Sequence, residues 1–401
     1  MREKRKWVAP KDEREMAGVT TITRKKDPYD IFMESEGIPI YRGIGVHRVQ
    51  DLPLAKWDRL GGRGSYIQLF GTEGKWGCYL VEVPPGGALN PEKHFFEKQL
   101  FVVSGRGTTE VWEEGNPRKL TFEWQAGTLF TIPLNASHRV VNATNKPALL
   151  LAGTTAPNIM NLIRNEHFIF NCPYKFRDRF DPEIENYFKE NPDFDPDPVL
   201  GRAMRKSNVI SDLVNCELPL DNVRSPGYRR FEPHMGENSF YQFIGEHQTG
   251  RYSKAHAHAS AAVLICIKGK GYTYTWPSSL GTTPWQDGKA DQVMRQDYEP
   301  IGMVTAAPMG GDWFHQHFGC SPEGLRLMAW FGPYTNRSHS KGAPGQKFVY
   351  GTGRDIREGG TAIPYDEEDP AIRQEFEENL QKEGLTSQMP EGIYDTPDEF
   401  K

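Results

Sequence analysis

A repeat constrains this chain more than any other feature. "LFVVSGRGTTEVW" at 100–112 matches "LICIKGKGYTYTW" at 264–276, an offset of 164 residues. The same offset carries Gly86 onto Gly250, Glu92 onto His256 and His94 onto His258, and the match runs ungapped from Gly86 to Trp112. One offset that aligns glycines, a tryptophan, a strand pattern and a histidine marks an internal duplication, two similar domains in tandem.

Each copy is β in pattern. Short alternating or wholly apolar segments recur between glycine and proline turns, such as "GCYLVEV" and "HRVVNAT" in the first half and "SFYQFIG" and "LRLMAWFG" in the second. Forty glycines and thirty prolines in 401 residues favour turn-rich barrels over helices. The expected fold is all-β: two tandem barrels with short connecting and terminal helices. An N-terminal arm is expected over 1–40, a barrel over 41–160, a connector over 161–219, a second barrel over 220–335 and a tail over 336–401. The connector holds "DPEIENYFKENPDFDPDPVLGRAMRKS" (181–207), a short helical pattern followed by a proline-rich stretch. The tail has Gly-rich loops after about 345. It also has a helix signal over 369–384, where Asp369 and Pro370 suit an N-cap and first turn, and Gly384 suits the stop. This segment reads as packing or as the cap of a partner subunit.

The net charge of −5 excludes the basic excess of a general nucleic-acid binder. No 18-residue apolar run is present, so no membrane span is expected. The charged start lacks the apolar core of a secretory signal. Five scattered cysteines without a CxxC pair read as reduced thiols, and the expected location is cytoplasmic.

In "KAHAHASA", His256 and His258 alternate with alanines, so both project to one face of a strand. His315 and His317 in "WFHQHFG" share a face by the same rule. Two or three imidazoles inside a barrel suit iron, manganese, nickel, copper or zinc. The competing reading is a structural histidine pair.

These residues resemble the cupin superfamily, whose first motif is glycine, His-x-His, a glutamate and a second glycine. Gly250, His256, His258 and Gly269 fit that frame, with Ala262 at the glutamate position. The second motif is matched in the first half by Gly127, Pro133, His138 and Asn142, with Asn135 where a glycine is usual. In the second half Pro308 and Gly310 match, and the histidines at 315 and 317 come two and four places late. The resemblance implies double-stranded β-helix (jelly-roll) barrels with a metal inside one mouth. "WFHQHFG" is similar to the Trp-x-His-x-His run of gentisate 1,2-dioxygenase-like cupins, a family that also uses three histidines and no carboxylate. That likeness implies His256, His258 and His315 as metal ligands and His317 as a supporting or substrate-contacting group. In gentisate-type bicupins the centre generally lies in the N-terminal barrel, whereas here the fuller ligand set lies in the C-terminal one.

Three neutral ligands leave a divalent ion its full charge and about three open positions. That suits iron(II)-dependent dioxygenation of a small, aromatic carboxylate, with O2 as the second substrate. Arg229, Arg230, Arg251 and His234 are candidates to hold the carboxylate, and Tyr272, Tyr274 and Trp313 to wall the substrate. For the arginines the competing reading is a solvated surface charge, and for the aromatics plain core packing. A non-oxidative metallo-cupin (isomerase, lyase or decarboxylase) using manganese, nickel or zinc is the alternative, and a ligand-binding cupin without turnover is a third. A homo-oligomer is expected.

The first half carries a poorer set. Glu92, His94 and His138 could form a two-histidine, one-carboxylate site, but Lys98 takes the glutamate position on the same face. A protonated lysine is no ligand and repels a cation. A Glu92–Lys98 pair filling an inactive barrel is therefore the favoured reading.

Overall fold

The computed structural model describes residues 26–197, 201–222, 224–258, 262–309, 312–333 and 353–395. The arm before residue 26, Gly310 and the Gly-rich loops at 345–352 lie outside these residues.

Each half packs a large sheet against a small one. The first has an eight-stranded sheet through Gly62–Leu69, Gly77–Val83, Ala148–Thr154, Lys98–Ser104 and Leu129–Ile132, and a three-stranded sheet of Ser137–Asn142, Arg106–Trp112 and Lys119–Gln125. In the second, an eight-stranded sheet runs through Arg229–His234, Phe240–His247, Leu325–Pro333, Val263–Lys268 and Met303–Thr305. Its four-stranded sheet is ordered His256–His258, Trp313–Gly319, Gly271–Pro277, Met294–Tyr298. These are the two jelly-roll barrels expected. Lys98–Ser104 and Arg106–Trp112 recur as Val263–Lys268 and Gly271–Pro277, 164 residues on to within a residue.

The two large sheets face each other, which explains their long apolar runs: both faces of such strands are buried. One cluster joins Leu69, Trp76, Phe101 and Leu151 of the first half to Ile244, Val263, Met328 and Trp330 of the second. Trp330 meets Trp76 and Phe240 edge-on at ring separations of 6.1 and 6.0 Å. Gly153 is a glycine because a Cβ there would come within 2.9 Å of the Trp330 ring. The halves also exchange short strands. Gly45–Val46 pairs with Met303–Thr305 of the second barrel, and Val209–Ile210 pairs with Leu129–Ile132 of the first.

The expected boundaries need correction. Helix Pro28–Ser35 falls in the supposed arm, yet buries Tyr29, Phe32 and Met33 in the first core. The helices near the connector are Ala156–Ile163 and Glu166–Asn171; the helical pattern expected after residue 181 forms turns over 182–189 instead, and the short strands Asp195–Pro196 and Ala203–Lys206 follow. The tail helix is Pro370–Lys382, with the Asp369 carboxylate accepting from the Ala371 N–H at 3.1 Å and Gly384 at φ 71°. It packs on this chain's own second barrel, burying Ile372, Phe376 and Leu380 against Tyr252, Tyr272 and Phe318. No helix among the described residues is long and apolar enough to cross a membrane. All five cysteines are free thiols.

Candidate metal centre

Strand pairing assembles the second-barrel histidines. His256–His258 runs antiparallel to Trp313–Gly319, placing His256 opposite His315 and His258 opposite Trp313. Alternation turns His256, His258 and His315 to the interior, and one potential ligand atom of each lies within 4.8 Å of the others. The His315 ring stands 4.2 Å from His256 and 4.6 Å from His258, centre to centre. The Lys254 carbonyl lies 3.2 Å from His256 Nδ1, which leaves Nε2 for the cavity. His315 Nδ1 is buried with no hydrogen-bond partner among the described residues. Burial, followed by nearby positive groups, holds His256 and His315 well below the usual imidazole range, so both are neutral and lone-pair bearing at neutral pH. Three converging imidazoles, two of them buried and neutral and one of those with an unpartnered nitrogen, fit a divalent transition metal.

His317 lies outside the triad but lines the same cavity. Its Nδ1 is 2.7 Å from Thr273 Oγ1, which in turn contacts the Tyr298 hydroxyl at 3.1 Å. Ala262, the residue at the glutamate position, is buried in the cavity wall. No Asp or Glu is among the described residues lining this cavity. Its empty volume is about 440 Å³ including the opening.

The residues expected to hold substrate lie elsewhere. Arg229 donates to the Leu218 carbonyl. Buried Arg230 is paired with Glu232 and the Tyr241 hydroxyl. Arg251 binds the Pro226 and Gln388 carbonyls, and His234 sits beside the Ala203–Lys206 strand in register with Lys206. Tyr272 and Tyr274 are on the wrong face of their strand. Thr273 and Thr275 stand opposite His317 and His315 and share their inward direction, so the alternating tyrosines point out under the tail. There Tyr272 stacks on Phe318 and Tyr274 donates to Glu375. Trp313 is buried beside His258 and does not line the cavity. The cavity's polar wall is instead Arg224, Tyr228, His247 and Ser253. The sequence carried no signal for Arg224, which precedes the barrel in irregular chain.

The first barrel repeats the geometry with other chemistry. Glu92 bridges to His138 as His256 pairs with His315, and Glu92, His94 and His138 have ligand atoms within 4.8 Å of one another. However, Lys98 Nζ lies 2.7 Å from Glu92 Oε2, and Arg59 donates to Glu92 Oε1 at 2.6 Å. Burial opposes ionisation of Glu92, but Lys98 and its other neighbours hold it well below the usual carboxylate range. A cation entering there would meet an ammonium already in place.

The fold and site thus define a double jelly-roll protein with one mouth lined by three converging histidines. Residues 79–153 match the family described as "Cupin domain". The resemblance to gentisate 1,2-dioxygenase-like cupins stays with the residue motifs. No curated protein matches the sequence. Among solved structures, the chain is similar to the oxalate decarboxylase formate complex of Lactobacillus farciminis, at 11% identity over 71% of this chain and 85% of that one (TM-score 0.44). It is also similar to Bacillus subtilis oxalate decarboxylase at pH 4.6, at 14% identity over 71% and 75% (TM-score 0.43). Similarity at this level leaves the chemistry to be read from the residues.

Proposed function

We propose that the second barrel is a metal-dependent enzyme site for a small carboxylate, held by His256, His258 and His315, with dioxygen as co-substrate. The observation that carries this reading is a convergent set of three histidines, with His256 and His315 buried and neutral and His258 half-buried beside them, in a cavity whose described lining has no carboxylate. Iron(II) would supply a Lewis acid for an anionic substrate and a one-electron donor for O2. The residues around it are poorly placed to trade protons at neutral pH. Burial pushes His247 down to about 3 and Tyr228 up to about 12. Reaction by acid–base steps alone therefore has little to work with, whereas oxygen chemistry needs mainly orientation and a water-poor site. Lys254 orients His256, and the Thr273–Tyr298 pair orients His317.

The aromatic walls of the cavity, Tyr228, Phe243 and Phe331, support a second reading. A cavity narrowed in this way suits a single-substrate, non-oxidative cleavage on manganese, nickel or zinc, which needs no room for O2. Metal analysis followed by parallel oxygen-uptake and CO2-release assays on iron- and manganese-loaded protein separates the readings. Oxygen uptake with a small carboxylate supports the oxygenase. CO2 release without oxygen uptake supports the non-oxidative enzyme. Metal binding without either supports a ligand-binding protein.

A further inference from the structure

We infer that Arg224, His247 and Ser253 form the carboxylate-anchoring subsite of the second-barrel cavity, and that it admits short aliphatic 2-oxo or 2-hydroxy acids and excludes aromatic ones. The inference rests on the metal-site reading above and names its substrate class.

Three observations carry it. First, Arg224 lines the cavity that the histidine triad lines, on a wall without acidic residues among those described. A guanidinium has five N–H donors, so it can keep a structural bond and still grip a carboxylate. Second, two buried polar atoms on that wall have no hydrogen-bond partner among the described residues: His247 Nδ1 and Ser253 Oγ. Their residues are 3% and 1% exposed, so water does not readily satisfy them. Buried polar atoms left open beside a cation mark a place for a polar ligand. Third, the remaining walls close in tightly. Gly245 leaves space for the Tyr228 hydroxyl, which would stand 1.8 Å from a Cβ at that position. Phe243 and Phe331 also line the cavity, and their rings lie 5.7 Å apart. Tyr228, Phe243 and Phe331 thus narrow the described cavity beside the triad, which favours a two- to four-carbon chain over a benzene ring.

One arginine matches one carboxylate. The triad lining the same cavity suits a second oxygen on the neighbouring carbon, hence the 2-oxo or 2-hydroxy acid.

The test uses the full chain loaded with cobalt(II), whose visible absorption reports ligands at the metal. Pyruvate, glycolate and salicylate are titrated into wild type, Arg224→Gln and Arg224→Lys. Pyruvate and glycolate should perturb the wild-type spectrum and salicylate should not. Arg224→Gln should bind cobalt stoichiometrically yet weaken the short acids about 10- to 100-fold, with Arg224→Lys intermediate. Unchanged affinity in Arg224→Gln, or salicylate binding as tightly as pyruvate, overturns the inference. If no variant takes up cobalt, the metal-site reading fails. The subsite is then judged by pyruvate stabilisation of the metal-free protein against heat: a shift lost in Arg224→Gln supports it, and an equal shift in both overturns it.

Discussion

His256 lies directly opposite His315 across an antiparallel strand pair, their rings 4.2 Å apart and steeply inclined. In the first barrel Glu92 stands in the same relation to His138. One backbone register has thus been kept through the duplication while its side chains diverged. The offset of 164 that relates Glu92 to His256 becomes 177 between His138 and His315, because the connection at 278–293 lengthens the second copy.

If His256, His258 and His315 are the ligands, each alanine variant should lose metal from the second barrel, with affinity falling by more than about 100-fold. His317→Ala should keep its metal within about tenfold, since this ring is held by Thr273 outside the triad. Elemental analysis after dialysis against a weak chelator checks both expectations. A His256→Ala protein that keeps stoichiometric metal contradicts the assignment.

Lys98 occupies the position that Ala262 fills in the second copy. Lys98→Ala should therefore open the first barrel to a divalent ion through Glu92, His94 and His138, whose imidazole Nε2 atoms have no hydrogen-bond partner among the described residues. Without metal the variant should be destabilised by about 3 kcal/mol, because a buried carboxylate loses one of its two cations. Added zinc should restore much of the lost Tm and raise the metal content from one to two per chain. Zinc content that stays at one, with no recovery of Tm, contradicts the prediction.

Much of the site was legible because it depends on local spacing. Two-residue alternation put His256 with His258, the repeat identified them as the counterparts of Glu92 and His94, and "WFHQHFG" supplied His315. What stayed hidden depends on long-range register. Whether Tyr272 or Thr273 faces the cavity is set by pairing with a strand more than forty residues away, and period-2 alternation fits either choice. Arg224 enters the cavity from irregular chain, where no periodicity exists to read. Helix Pro28–Ser35 was readable: Tyr29, Phe32 and Met33 follow the i, i+3, i+4 spacing of a buried helix face after Asp27-Pro28. The charged run before it drew the whole segment into an expected arm.

Glu368 makes stability pH-dependent. Burial raises its carboxyl from the ordinary 4.5 to about 7, against the hydrogen bonds from Tyr252 and from Gln316 Nε2 at 2.6 Å. With the folded value above the unfolded one, the folded chain keeps a proton that the unfolded chain has released between pH 4.5 and 7. Stability from this group therefore falls as pH rises through that window, by about 3 kcal/mol in total, and levels off above it. Glu368→Gln, which keeps an acceptor for Tyr252, should remove that slope and melt higher than wild type at pH 8. Parallel slopes for the two proteins from pH 5 to 8 contradict the assignment.

Through Gln316, Glu368 also ties the tail to the strand that carries His315 and His317, and the tail reaches the other ligand strand directly. Ala362 bridges His256, the Ala257 N–H donates to the Thr361 carbonyl at 3.1 Å, and the Ile363 N–H donates to the Ala255 carbonyl at 2.8 Å. The tail thus forms an extra edge beside His256–His258, anchored by helix Pro370–Lys382. Phe376 is fully buried in that helix, its ring 4.8 Å from Tyr252 and 5.8 Å from Phe318. Phe376→Ala should cost about 3–5 kcal/mol through the cavity it leaves. Because the contacts it removes brace a ligand strand, the loss should be local before it is global. Amide exchange should quicken first in 353–395 and at Ala257, and metal affinity should fall about tenfold under conditions where the first barrel is still folded. Exchange that rises evenly through both barrels, with metal affinity unchanged, would show that the tail adds stability without positioning the histidines.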